Sequence, residues 1–231
     1  MGDCLDPVTG MASLADKSVD HVITDPPYGA RTHEGQRVNS NDNRGKGTIA
    51  RNGLGYGHLS SEMLEQVTKQ FSRVRRKWIF AMTSHDLFQC WESQLDGYTF
   101  APVPIVLTGM TVRMAGDGPS SWTVWSVVNR PIGLKDGTKP GAYVGSPGAG
   151  PARGAGVVKG SKPDWLMEKI IGDYTTRGET ILDPFSGSGT TGVAAIRLGR
   201  NFIGWERDPK YHAIALRRLK NAREQMTIGG T

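Results

Sequence analysis

Between Thr180 and Trp205 the chain reads as an apolar strand, a glycine-rich turn, a helix-length segment and a second apolar strand. No other stretch restricts the fold as tightly. Two strands joined through a helix lie parallel in one sheet, since the crossover must carry the chain back to the same end. Thr180–Leu182, Thr190–Leu198 and Asn201–Trp205 fill these roles, and Pro209–Gln225 predicts a long helix after them. Upstream, Val19–Thr24 and Lys77–Thr83 read as short buried strands. Between them a helix opens at Ser60 as N-cap, with Met63, Leu64, Val67 and Phe71 at helical spacing. A further helix runs through Leu87 and Trp91. Val103–Leu107 and Trp122–Val128 predict an antiparallel pair at one sheet edge. Asp164 predicts the N-cap of a helix whose apolar side is Trp165, Met167, Ile170 and Ile171. Strands alternating with helices give an α/β fold, with a sheet covered on both faces.

A length of 231 residues suits a single domain, residues 1–231, carrying at most a modest insert. Two tracts stand outside the alternation. Residues 29–58 are polar, Gly-rich and basic, which predicts a mobile basic loop. Residues 110–162 read as a small insert ending in a linker, because Pro140–Ser161 holds seven Gly and three Pro in 22 residues and cannot build a core. The net charge is +6, and its excess falls in these parts of the chain. From Arg31 to Lys77 ten basic residues face four acidic ones, and from Met110 to Lys162 seven face two. Positive charge clustered in this way favours a polyanionic partner. No run of 18 apolar residues occurs, so no membrane span is expected. MGDCLDPVTG carries neither a basic leader nor a signal core, and Cys4 and Cys90 are too few for a disulfide framework or a zinc site. The expectation is a cytoplasmic protein without a metal.

Two short strings carry the chemistry. In Asp183-Pro184-Phe185-Ser186-Gly187-Ser188-Gly189-Thr190-Thr191, the glycines let backbone turn sharply and approach a ligand. The N–H groups at Thr190 and Thr191 open a helix and suit a carboxylate. Glu206, after the next strand, can accept from two ribose hydroxyls. Gly187, Gly189 and Gly192 also satisfy G-x-G-x-x-G, so a dinucleotide-binding dehydrogenase is a rival reading. It leaves the second string, Asp25-Pro26-Pro27-Tyr28, without a use. There a carboxylate and a backbone carbonyl, stiffened by two prolines, are acceptors for both hydrogens of a planar amine. Tyr28 adds a ring on which an extruded base can stack.

In this order the two strings resemble the β group of amino-directed DNA methyltransferases, over almost the whole chain. The resemblance implies a circularly permuted Rossmann-like fold that binds S-adenosylmethionine, built on a mixed seven-stranded-type sheet with helices on both faces. It implies methyl transfer to an exocyclic amine of double-stranded DNA after base flipping. A leading Asp points to adenine N6; cytosine N4, an RNA substrate and a non-catalytic nucleic-acid-binding relative stay open. Cytosine-C5 chemistry needs a Pro-Cys nucleophile, which neither cysteine supplies. Asp25, Asp183, Phe185, Gly187, Ser188, Gly189, Thr190 and Thr191 would line the cofactor pocket, with Glu206 on the ribose. Lys162-Pro163 resembles the segment that closes over the methionine end. Asp3 and Cys4 resemble the adenine contact, although no strand precedes them in this sequence. Arg31, Arg37, Arg44, Lys46 and Arg51 would meet phosphates, as would Arg113 and Arg130 in the region that resembles the target-recognition segment. That region is short, which predicts a short or relaxed recognition sequence. Relatives of this kind include phage and prophage methylases, and several act as homodimers.

Overall fold

The computed structural model describes residues 1–29, 57–108, 122–146 and 161–228. Its centre is one mixed sheet of eight strands: β1 His21–Thr24, β2 Ile79–Thr83, β3 Tyr98–Thr99, β4 Val103–Leu107, β5 Trp122–Arg130, β6 Tyr143–Gly145, β7 Thr180–Asp183 and β8 Asn201–Gly204. Among the described residues five α-helices accompany it: α1 Ser61–Val74, α2 Phe88–Gln94, α3 Asp164–Tyr174, α4 Thr190–Arg197 and α5 Pro209–Ile228. The strand order is β6-β4-β5-β2-β1-β7-β8, with β3 on β5. β2, β1, β7 and β8 run parallel, and β5 lies antiparallel to β2 and β4.

Both faces of the parallel strands are apolar, which is why each strand reads as a continuous run. Ile23, Phe80, Met82 and Ile181 face a core shared with Leu166, Met167, Ile170 and Ile171 of α3 and Ala194 and Ala195 of α4. Val22, Ile79, Ala81 and Leu182 alternate to the other face, against Leu64, Val67 and Phe71 of α1 and Trp91 of α2. Ser60 caps α1 as expected, its hydroxyl accepting from the Met63 N–H at 3.2 Å. The mixed sheet with helices on both faces is likewise as expected, and its eighth strand is the two-residue β3.

Two expectations need correction. The antiparallel pair β4–β5 forms, but it is not the sheet edge: β5 lies between β2 and β4, and β6 lies outside β4. Within the segment 110–162 expected as an insert, Trp122–Arg130 forms the central strand β5; residues 109–121 and 147–160 lie outside the described residues. Asp164 does not cap α3. The position before the helix is Pro163, and the Asp164 carboxylate accepts from Arg197 and Arg218 instead, at 3.1 Å each. Two cationic donors outcompete a backbone N–H for that carboxylate. The loop expected at 29–58 falls almost wholly outside the described residues.

At the end of the sheet where β2 begins, Arg75 is 2% exposed. Its guanidinium donates to Asn129 Oδ1 at 2.7 Å, to the Lys77 carbonyl at 3.0 Å and to the Asp96 carbonyl. Burial drives its pKa down to about 10, opposed by the charge of Asp96.

Candidate active site

β1 leads through α1 to β2 on one side, whereas β7 leads through α4 to β8 on the other. The connections therefore diverge between β1 and β7, the place where open α/β sheets bind ligands beyond the carboxyl ends of their strands. Those ends are Thr24 and Asp183, and Thr24 Oγ1 donates to Asp183 Oδ1 at 2.6 Å. The proline turn and the glycine turn, at opposite ends of the chain, are neighbours.

In the proline turn the Tyr28 hydroxyl donates to Asp25 Oδ1 at 2.8 Å. The Lys162 ammonium donates to Asp25 Oδ2 and lies 5.2 Å from the centre of the Tyr28 ring. The Asp25 side chain keeps a quarter of its surface exposed, at 25%. Each carboxylate oxygen has a second lone pair, so both can accept another donor. Beyond Tyr28, the Gly29 N–H donates to Ser84 Oγ at 3.1 Å, which anchors the turn to the end of β2. A Cβ at Gly29 would meet the exposed Asp86 carboxylate at 2.5 Å, so a larger residue there requires that side chain to swing aside.

In the glycine turn Asp183 is buried, and its Oδ1 also accepts from the Phe185 N–H at 3.1 Å. Gly187 (φ 51°) and Gly189 (φ 83°) are left-handed, a conformation side chains resist. Among the described residues, a Cβ at Gly187 would meet only the Phe185 carbonyl oxygen, at 4.0 Å, so none of them fills the space over the turn. Gly192 is needed for packing instead: a Cβ there would strike Phe202 and Leu219 at 2.6 Å. The Glu206 carboxylate accepts from the Asp208 N–H at 2.7 Å through Oε1, leaving Oε2 for another donor. Gly2 N–H donates to the Glu206 carbonyl at 3.1 Å, which docks the Asp3–Cys4 segment beside the end of β8 without a strand. Asp3 Oδ1 accepts from the Leu5 N–H at 2.9 Å. Burial, then the charge of Asp3, pushes the Cys4 thiol up to about 12; Asp183 adds to the rise and Arg207 opposes it.

Lys162 joins the site from the far side. Ser161 Oγ lies 2.8 Å from Ser188 Oγ, so the segment that supplies Lys162 to Asp25 is also bonded to the glycine turn. No sequence signal marked the Thr24–Asp183 bond, Ser84, or Arg218 behind the turn. Each is a partner from a distant strand or helix, with no motif around it. Arg130 does not join the group. Asn129 pairs with Ile79 whereas Trp125 pairs with Thr83, so Arg130 lies at the end of the sheet opposite Asp25. There it stacks on Tyr98 and Phe100, with 5.8 and 5.5 Å to the ring centres. Arg31, Arg37, Arg44, Lys46, Arg51 and Arg113 lie outside the described residues.

Burial raises the Asp183 carboxyl from its ordinary 3.8 to about 6, with Asp25 adding to the rise, while bonds from Thr191, Thr24 and the Phe185 N–H pull it down. Between those values the folded protein holds more protons than the unfolded chain. Stability conferred at low pH is therefore withdrawn as pH rises through this window, by up to about 3 kcal/mol. Asp183→Asn keeps an acceptor for Thr24 and Phe185 and does not titrate. Relative to the parent, this variant is expected to gain about 2 kcal/mol in unfolding free energy between pH 4.5 and 7.5. Urea titrations at both values measure the gain, and a gap that stays constant with pH would exclude a raised Asp183 carboxyl.

A DNA methylase family model (N6_N4_Mtase) matches residues 119–217. The type II methyltransferase M2.DpnII of Streptococcus pneumoniae is 54% identical over 63 residues, 27% of this chain and 24% of that protein. The aligned stretch thus spans about a quarter of that relative. The structure of TTHA0409 from Thermus thermophilus complexed with S-adenosyl-L-methionine has a TM-score of 0.64 at 17% identity, covering 96% of this chain and 92% of that one. PvuII DNA methyltransferase (cytosine-N4-specific) has a TM-score of 0.63 at 15% identity, covering 98% and 90%. At these identities the likeness carries the fold: the circularly permuted α/β sheet of the methyltransferases.

Proposed function

We propose that this protein is an S-adenosylmethionine-dependent DNA methyltransferase that modifies an exocyclic amine, with adenine N6 as its target. The adjacency of the two turns, joined by the Thr24–Asp183 bond at 2.6 Å, is the observation that carries this reading. Further support comes from the family match across residues 119–217 and from the relative M2.DpnII.

The glycine turn suits the cofactor because its backbone is bare at Gly187, helix α4 opens at Thr190, and Glu206 keeps one carboxylate oxygen for a sugar hydroxyl. When bound there, S-adenosylmethionine supplies a methyl group already activated by the sulfonium. The chain's own residues then hold the amine. Its lone pair is delocalised into the base, and acceptors on both hydrogens favour the tetrahedral nitrogen that attacks. Asp25 offers a carboxylate and Pro26 a carbonyl, on a backbone fixed by Pro27 and by the Gly29–Ser84 bond. Tyr28, buried with its hydroxyl tied to Asp25, is the ring proposed to stack on the base. No covalent intermediate with the protein forms.

Double-stranded DNA as partner follows from the basic residues Arg31, Arg37, Arg44, Lys46 and Arg51, which succeed the proline turn directly in sequence. A second reading, cytosine N4, is favoured by the likeness to the cytosine-specific PvuII enzyme, and the same acceptors serve either amine. One experiment separates the readings. The purified protein is incubated with isotopically labelled S-adenosylmethionine and plasmid, and the nucleosides are identified by mass spectrometry. Labelled N6-methyladenine is the expected product. N4-methylcytosine would replace the adenine reading, label in RNA alone would replace the substrate, and no transfer would reject the activity.

A further inference from the structure

We infer that Arg218 is a positioning residue that sets the glycine turn in its ligand-receiving shape; this rests on reading that turn as the methyl-donor site. Arg218 belongs to α5, outside the sheet and outside both motifs. Its Nη1 donates to the Ser188 carbonyl at 2.9 Å, to Ser188 Oγ at 3.0 Å and to Thr190 Oγ1 at 3.1 Å. Its Nη2 donates to Asp164 Oδ1 at 3.1 Å. The side chain is 17% exposed.

The turn needs such a support. Gly187 and Gly189 flank Ser188 in left-handed conformations, and two glycines give a backbone little preference of its own. The peptide between Ser188 and Gly189 is held at both ends: the Gly189 N–H donates to the Ser186 carbonyl at 2.7 Å, and the Ser188 carbonyl accepts from Arg218. That peptide leads straight into the first turn of α4, where Thr190 also accepts from Arg218. The second nitrogen reaches Asp164, two residues past the lysine that meets Asp25. One planar guanidinium therefore links the glycine turn to the segment that reaches the proline turn. A lysine, with a single nitrogen, could not span both ends.

Arg197 provides the control. It pairs with the same Asp164 at 3.1 Å and with Glu168 at 2.9 Å, but has no bond to the turn. Binding of S-adenosylmethionine by calorimetry, on the full chain without DNA, is compared for the parent, Arg218→Met, Arg218→Lys and Arg197→Met. Arg218→Met is expected to raise Kd at least tenfold, Arg218→Lys at least threefold and Arg197→Met less than threefold. With cofactor saturating, kcat of Arg218→Met stays within about threefold of the parent, because the defect lies in binding. Unchanged binding in Arg218→Met, or equal weakening in it and Arg197→Met, would overturn the inference. If Arg218→Met does not fold, the comparison of Arg218→Lys with Arg197→Met decides on the same terms. A parent that binds no S-adenosylmethionine would instead overturn the reading of the turn, and the inference with it.

Discussion

Replacing Asp25 with alanine is expected to lower the methyl-transfer rate at least 100-fold, a loss of about 3–4 kcal/mol in transition-state stabilisation. The carboxylate is the one anionic acceptor in the proline turn, and it is oriented by Tyr28 at 2.8 Å and by Lys162. Its removal also takes an ion-pair partner from the Lys162 ammonium, whose side chain is only 5% exposed. Some loss of stability is therefore expected as well. Asp25→Asn separates the two effects, since it keeps the volume and one acceptor oxygen while turning an amide donor toward the substrate amine. Single-turnover measurements with labelled S-adenosylmethionine at saturating concentration are expected to show the rate fall in both variants. Turnover at the parental rate in a folded Asp25→Ala would remove Asp25 from the chemistry.

The second large effect concerns stability. Arg75→Met is expected to destabilise the protein by about 3–5 kcal/mol. The methionine fills much of the volume but leaves Asn129 Oδ1 and the carbonyls of Lys77 and Asp96 without their donor. Asn129 Oδ1 is buried where β2 pairs with β5, so water cannot reach it without opening the core, whereas the Lys77 and Asp96 carbonyls are only partly buried. Arg76, the next residue, is a sharp contrast. Its side chain is 54% exposed and pairs with Asp20 at 3.3 Å, so Arg76→Met should cost less than about 0.5 kcal/mol. Urea midpoints for the two variants test the difference. A loss below about 1 kcal/mol in Arg75→Met would mean that the buried bonds contribute little net stability.

What could be read in the sequence was whatever has a local cause. The α1 cap at Ser60, the strands before Asp25 and after Arg75, and the strand–turn–helix–strand unit from 180 to 204 all follow from short-range chemistry. Three residues around Val144 form a strand only because β4 pairs with them, and their Gly- and Pro-rich surroundings hide it. The sequence marks β5 as a strand, but its central place depends on pairing with β2, which no periodicity reveals. Asp164 looked like a cap because its position fits one; the two arginines that claim it lie 33 and 54 residues away. In the site, the motif residues were visible as strings. Their supports, Thr24, Ser84 and Arg218, were not, because each acts through bonds to a distant element.

The lateral contact of β1 with β7 has a consequence for how such a chain can be assembled. Cleft chemistry is indifferent to which turn the ribosome makes first. All it requires is that two strand tips finish side by side, pointing the same way. A gene rearranged so that the glycine turn came early and the proline turn late would present the same two walls, provided the strands stayed neighbours. Segment shuffling that preserves strand adjacency is therefore permitted, while slipping β1 by one residue against β7 would turn Thr24 to the wrong face and part it from Asp183.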